Sequence, residues 1–289
     1  MAIYDGEKIK INFIVVVYAT PPALTVTLKS LGSIDFSKFC ITQSLSVWDN
    51  SAEGFGKDAI PDFNGDVNYY HNGINESLSV VYNKIVSDSE GSQYFIVLDD
   101  DSEITEKYIC SLFGFFSSGI PVGIPRILFK RDLISPGMVQ GVRGKQISNE
   151  HLKVGSKDSK DLVAMMSGTI IHRQAFDAGL RFDERLSFYG IDTKFFIDYA
   201  RRYPKIFILD AVLIHSSALR ERGQTYELRV KRLKNLVLSR LYVFDHISNF
   251  RLKISIYLFF FCMKTIVREK NIQYISLLGL FPKILKSQD

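Results

Sequence analysis

The chain has 289 residues, of which 46% are hydrophobic and 23% charged, and a formal net charge of +5. That balance excludes a disordered chain and allows one large core, or a domain with an added region. Cys40, Cys110 and Cys262 lie far apart in no paired spacing. This argues against a disulfide framework and a cysteine zinc site, and it suits a reducing compartment.

The charge is unevenly spread. From Arg201 onward 17 Lys and Arg face 6 Asp and Glu, whereas the first 200 residues carry 19 against 25. A basic C-terminal third on an acidic body points to an anionic partner surface, lipid or nucleic acid. Nucleic acid is disfavoured, because the basic tail carries no recognised reading motif. Near the N-terminus, Asp5 and Glu7 break up the positive charge ahead of the apolar run, and Asn12 interrupts the run itself. The segment therefore reads as a buried first strand and not as a leader peptide. No stretch reaches the roughly 18 apolar residues needed to span a membrane.

Taken in chain order, INFIVVVYAT (11–20) is a continuous β-branched run, expected of a strand buried on both faces of a parallel sheet. Pro21 and Pro22 end it and open a helix through Leu24, Val26, Leu28 and Leu31. Residues 39–51 read as a second strand ending at Trp48-Asp49-Asn50-Ser51. The stretch 68–87 reads as a turn at Asn72-Gly73 followed by a helix with Leu78, Val81, Tyr82 and Ile85 on one face. QYFIVLDDD (93–101) is a further strand, and a helix follows from about Thr105 to Phe116. Residues 135–162 are polar and rich in Gly, Ser and Lys, and read as a long mobile loop. A strand entering a short helix (164–176), a helix within 182–202 and a last strand (205–218) complete the body. Basic amphipathic helices follow at 224–246 and 252–268. The alternation of strands and helices predicts a doubly wound α/β fold with ligands at the carboxyl ends of the strands.

Three such strand ends carry Thr20, Asp49-Asn50 and Asp99 to Asp101. Three adjacent carboxylates repel one another unless solvent or a cation compensates. In an extended chain Asp99 and Asp101 share a face and can converge on one cation, with Asp100 pointing elsewhere. Hard oxygen ligands suit Mg²⁺ or Mn²⁺. An acidic strand-to-helix turn that caps the next helix is the competing explanation.

The order of VWDNS, NGINESLSVVYN, LDDDS, MSGTIIHRQAF, FDERLSFYGIDTKFF and ILDAVLIHSS resembles family 2 glycosyltransferases of the GT-A (Rossmann-like nucleotide-diphospho-sugar transferase) fold over roughly residues 11–220. The nearest flavour is that of bacterial rhamnosyltransferase-like and galactofuranosyltransferase-like enzymes. The resemblance implies a catalytic domain at 1–220 and a basic helical region at 221–289. It also implies a metal site of Asp99, Asp101 and His215, and Asp192 as the general base of an inverting reaction. Ile191 stands where many members have a second acid before that base. Thr20, Asp49, Asn50, Asn75 and Asp100 would face the donor, and Ser167, Gly168, Tyr189 and Gly190 the acceptor. Asp192 also suits a helix N-cap, and Asn75 ordinary turn chemistry.

Arg143, Lys145, Lys153 and Lys157 are candidates to fold over a diphosphate as a lid. RLKISIYLFFFCMKTIVREK (251–270) sets ten largely apolar residues between Lys253 and Lys264, which suits a helix lying in a membrane interface. YISLLGLFPKILK (274–286) would add a second contact. The expected protein is thus a metal-dependent glycosyltransferase, peripheral on the cytoplasmic face of the membrane. It would use a UDP- or dTDP-linked sugar and a lipid-linked or polysaccharide acceptor. Two competitors are a nucleotidyltransferase and a non-catalytic, cation-dependent membrane adaptor. The first normally has a Gly-rich basic phosphate loop where this chain has ATPPALT, and the second leaves Asp49 and Asp192 unexplained.

Overall fold

The computed structural model describes residues 8–148, 152–214 and 225–286. β1 (Ile9–Val17) is buried along nearly its whole length, as its β-branched run requires. After a 3-10 turn at Pro22–Leu24 the chain enters α1 (Val26–Gly32), capped by the Thr25 hydroxyl. β2 (Ile41–Asp49) runs parallel to β1 and sets Asp49 opposite Val17. β3 (Asp66–His71) then adds a parallel strand beside β2. That strand was not expected: Asp66, Asn68 and His71 make it polar, because an edge strand leaves much of itself in solvent.

α2 (Leu78–Asp88), β4 (Tyr94–Leu98) and α3 (Glu106–Phe116) follow as the sequence predicts. β5 (Val122–Phe129) and β6 (Asp132–Ser135) then form an antiparallel pair. The supposed mobile loop is largely structured. It contains β7 (Gly137–Gln140), β8 (Arg143–Gln146), β9 (Gly155–Asp158) and β10 (Leu162–Val163). β10, β7 and β8 make a small separate sheet, and β9 extends the main sheet beside the last strand. Short strands exposed on one side carry too few apolar residues to signal themselves.

β11 (Thr169–His172) and α4 (Arg173–Asp177) lead to α5 (Ile191–Ala200) and β12 (Lys205–Ile214). The main sheet runs β3-β2-β1-β4-β11-β5-β12-β9, with β6 on β5. β11 is antiparallel to both β4 and β5, so the sheet is mixed and not purely parallel. β1, β2 and β4 are mutually parallel and bring their carboxyl ends to one edge. α6 (Tyr226–Val243), α7 (Phe250–Glu269), a 3-10 segment (Ile272–Leu280) and α8 (Phe281–Leu285) close the chain. Val230, Leu233, Val237, Leu258 and Cys262 join Phe195, Phe196 and Ile208 in one buried cluster, so the C-terminal helices share the core of the sheet. No helix among the described residues is long and apolar enough to cross a membrane.

Candidate active site

At the carboxyl ends of β1, β2 and β4 lies a cavity of about 760 Å³. Its walls come from β1, the loop before α2, the acidic triplet, the turn into α5 and one residue of α6. A hydrogen-bonded clamp made largely of backbone groups presents the triplet. The Thr27 hydroxyl, fully buried on α1, donates to the carbonyl of Asp99 and lies 2.8 Å from both the carbonyl and the N–H of Ser102. The Thr27 N–H donates to the carbonyl of Asp100 at 3.2 Å. On the other side Ser167 Oγ accepts from the Asp99 N–H at 3.2 Å and lies 2.6 Å from Ser102 Oγ. The backbone of the triplet is thus held from both sides.

β4 stops at Leu98 and the chain turns at Asp100 and Asp101. Strand alternation therefore ends before Asp100 and does not decide how its side chain is placed. Asp99, Asp100 and Asp101 all line the cavity.

Asp192 lines the same cavity from the first turn of α5. Gly190, at φ 87°, holds the N-cap position that Asp192 was a candidate to fill. The Asp192 carboxylate accepts from the N–H of Met166 at 3.2 Å and sits at the positive end of the helix dipole, both of which favour negative charge. Tyr82 is 3% exposed and lies where the charges of Asp99 and Asp192 are both felt. Burial first, and then those two carboxylates, push its phenol well above the ordinary tyrosine value.

Asn50 and Asn75 also line the cavity. Asn50 Nδ2 donates to Asn75 Oδ1 at 2.9 Å, and Asn50 Oδ1 accepts from the Glu76 N–H at 2.7 Å and from Trp48 Nε1 at 3.1 Å. This ties the end of β2 to the entrance of α2. Asn83, farther along α2, exchanges hydrogen bonds with the backbone of Phe182, which fixes the segment that leads into Tyr189 and Gly190.

Four expected site residues do not line the cavity. Asp49 is fully buried, and its oxygens accept from the N–H groups of Ser51 and Phe55 and from the Tyr69 hydroxyl. Burial raises its pKa, but these donors outweigh burial and hold the carboxyl below its usual value. Its work is to shape the loop after β2. Thr20 lies beyond the end of β1 and follows Ala19, at φ 53°, and from this segment Val16 and Tyr18 line the cavity. Ser167 braces the triplet as described. Gly168, at φ 74°, is packed so tightly that a Cβ would lie 2.4 Å from Leu213 and 2.9 Å from Pro125. Tyr189 and Gly190 do line the cavity. His215 lies outside the described residues.

None of the four lid candidates lines the cavity. Arg143 and Lys145 are on β8, with the Arg143 guanidinium over the Phe260 ring of α7. Lys157 is on β9, against Ile206, and Lys153 is exposed.

The family model described as glycosyl transferase family 2 matches residues 13–180. The chain belongs to glycosyltransferase family 2. No curated protein matches it. Among solved structures, S. aureus TarS 1-349 is 15% identical with a TM-score of 0.55, over 95% of this chain and 92% of that one. The same TarS fragment in complex with UDP-GlcNAc is 14% identical with a TM-score of 0.52, over 96% and 82%. GalNAc-T7, solved with UDP, GalNAc and Mn²⁺, is 16% identical with a TM-score of 0.56, over 81% of this chain and 48% of that one. At such identities the likeness is one of fold, and it supports the GT-A α/β architecture with C-terminal helices.

The triplet lies inside the residues matched to family 2, whereas Tyr189, Gly190 and Asp192 lie beyond them. Among the described residues no three His, Cys, Asp or Glu side chains form a ready cation cluster. The donor set still suits a hard divalent ion, which is commonly held by one or two carboxylates and completed by water and substrate phosphate. Sequence reasoning missed Tyr18, Thr27 and Arg232. Val16 and Tyr18 alternate on one face, which is a usable signal for the first. Nothing in the sequence separates Arg232 from the other cations of the tail.

Proposed function

We propose that this family 2 glycosyltransferase is a metal-dependent, inverting enzyme. It moves a hexosyl or deoxyhexosyl group, as the rhamnosyltransferase-like resemblance implies, from a UDP- or dTDP-linked donor to a lipid-linked or polysaccharide acceptor in cell-surface glycan synthesis. The observation that carries the reading is that the acidic triplet and Asp192 line one cavity. The neighbours bound to UDP, UDP-GlcNAc and Mn²⁺ support a nucleotide-sugar donor and a divalent ion.

Asp99 and Asp101 would hold Mn²⁺ or Mg²⁺, with His215 as a further ligand, and the ion would neutralise charge on the departing diphosphate. The chain's own groups do the rest. Asp192 takes the proton of the acceptor hydroxyl as that oxygen attacks the anomeric carbon. The bond from that carbon to the diphosphate oxygen breaks on the far face, and the configuration inverts. Asn50, Asn75 and Asp100 orient the donor, and the exposed ring of Tyr18 at the cavity edge suits stacking on a nucleotide base. Tyr189 and Gly190 receive the acceptor.

The catalytic unit is proposed to span residues 1–220, with 221–289 as a membrane-associating helical region on the cytoplasmic face. Leu252, Ile256, Phe259, Phe260 and Val267 are exposed along one stripe of α7, flanked by Lys253 and Lys264. The opposite face, Ile254, Leu258 and Cys262, is buried. An exposed apolar stripe edged by cations suits the headgroup region of an anionic bilayer.

A screen of UDP- and dTDP-sugars with Mn²⁺, read by thermal stabilisation and by release of free sugar, tests the catalytic reading. Binding to at least one donor is expected, and a flat response across the whole set would sink the reading.

A further inference from the structure

Among the described residues five acids line the cavity: Glu76, Asp99, Asp100, Asp101 and Asp192. Among the described residues lining it there is one cation, Arg232, and it comes from α6 in the basic C-terminal third. The Arg232 charge reaches Tyr189, where it opposes the burial that raises the phenol's pKa. Arg232 and Tyr189 both line the cavity, so α6 brings its cation to the side of the turn into α5.

Gly190 shows how α6 comes this close. A Cβ at that position would lie 2.7 Å from Val243 Cγ2 and 3.2 Å from Ser239 Oγ. Arg232, Ser239 and Val243 are spaced by seven and four residues and so share one stripe of α6. The C-terminal end of that stripe rests on the turn bearing the proposed base, and its earlier part carries the guanidinium to the cavity.

An anion entering among five carboxylates meets repulsion unless a fixed cation receives it. Under the reading above, a metal at the triplet serves the diphosphate of the donor. A guanidinium on the Tyr189 wall is placed for a second anion, and its planar fork matches phosphate oxygens. We infer that Arg232 receives a phosphate group carried by the acceptor, so that the acceptor is a phosphate-bearing sugar carrier whose hydroxyl is thereby directed at Asp192. The inference rests on the glycosyltransferase reading. Donor diphosphate offers the same chemistry, so the test has to separate the two sources.

The experiment titrates octyl phosphate, with octyl glucoside as the uncharged control, into full-length protein saturated with Mn²⁺ and UDP or dTDP. Binding of the nucleotide itself is measured alongside. Wild type should bind octyl phosphate in the presence of nucleotide. Arg232→Gln should weaken that binding at least tenfold, Arg232→Lys should recover part of it, and nucleotide affinity should move less than about threefold. Octyl glucoside should not distinguish the variants. Unchanged octyl phosphate binding in Arg232→Gln overturns the inference, as does its absence in wild type. An equal loss of nucleotide affinity assigns the arginine to the donor and also overturns it. If wild type binds neither nucleotide, the glycosyltransferase reading itself fails, and the octyl phosphate titration still reports on the arginine separately.

Discussion

The two walls of the cavity are built in different ways. The triplet wall lies within a family-matched stretch and is held by polar groups: Thr27 and Ser167 grip the backbone of Asp99, Asp100 and Ser102 through directed hydrogen bonds. The wall of α5 and α6 lies beyond that stretch and is held by close packing at Gly190, with an ion-pair group at its edge. There Arg185 binds Asp183 and Asp245, and Lys194 reaches Asp245 at 3.3 Å. Directed hydrogen bonds fix the backbone of the triplet. Packing between segments far apart in the chain fixes the wall that carries Asp192 and Arg232.

The largest expected effect breaks the chemistry of the second wall and spares the first. Asp192→Asn should lower sugar transfer by roughly 10²- to 10⁴-fold, the usual worth of a general base, with donor affinity nearly unchanged. Steady-state transfer and donor titration measure the two separately, and retained turnover removes Asp192 from the base role. Next in size is Gly190→Ala, which adds a Cβ in a left-handed conformation against Val243. A loss of about 1–3 kcal/mol in urea unfolding is expected from backbone strain together with the contact.

On the first wall, Thr27→Val keeps the shape and removes the hydroxyl that grips Asp99 and Ser102. A loss of about 1–3 kcal/mol is expected, because buried polar groups are left without their partner. Here the Mn²⁺ dependence of nucleotide binding should weaken as well, a coupling that Gly190→Ala should not show. Two metal-binding isotherms against the stability data decide whether the walls are independent.

The smallest effect is that of acid. The hydrogen bond from Arg185 is the main influence holding Asp183 below its usual pKa. Asp245 is also lowered: burial raises it, but Arg185 and Lys194 prevail. Depressed carboxyl values mean that the stabilisation is complete above the unfolded value near ~3.9 and is lost as pH falls through the lower folded values. Arg185 is exposed, and each of its pairs contributes below about 1 kcal/mol. The stability of Asp245→Asn should therefore fall less steeply than that of wild type below about pH 4, and parallel acid curves would show the cluster to be silent.

What could be read directly was whatever repeats locally. The β-branched run of β1, the apolar face of α2 and the three acids after β4 declared themselves because burial, helical period and charge repulsion act within a few residues. Local reading says less where the chain bends or borrows. Ala19 has a positive φ just before Thr20, the chain turns at Asp100, and Asp49 gives its oxygens to the loop beside it. The small sheet of β7, β8 and β10 was hidden by its polarity.

The sequence by itself determined the α/β alternation, the acidic end of β4, the Asp192 turn and the basic tail, since these follow from side-chain type and spacing. Only the tertiary structure decided that Asp99 and Asp192 share one cavity, that Thr27 and Ser167 grip the triplet, and that Arg232 of the tail reaches the wall. Those facts depend on contacts between residues far apart in the chain. Such contacts are set by the packing of whole helices on a sheet, and no local pattern encodes them.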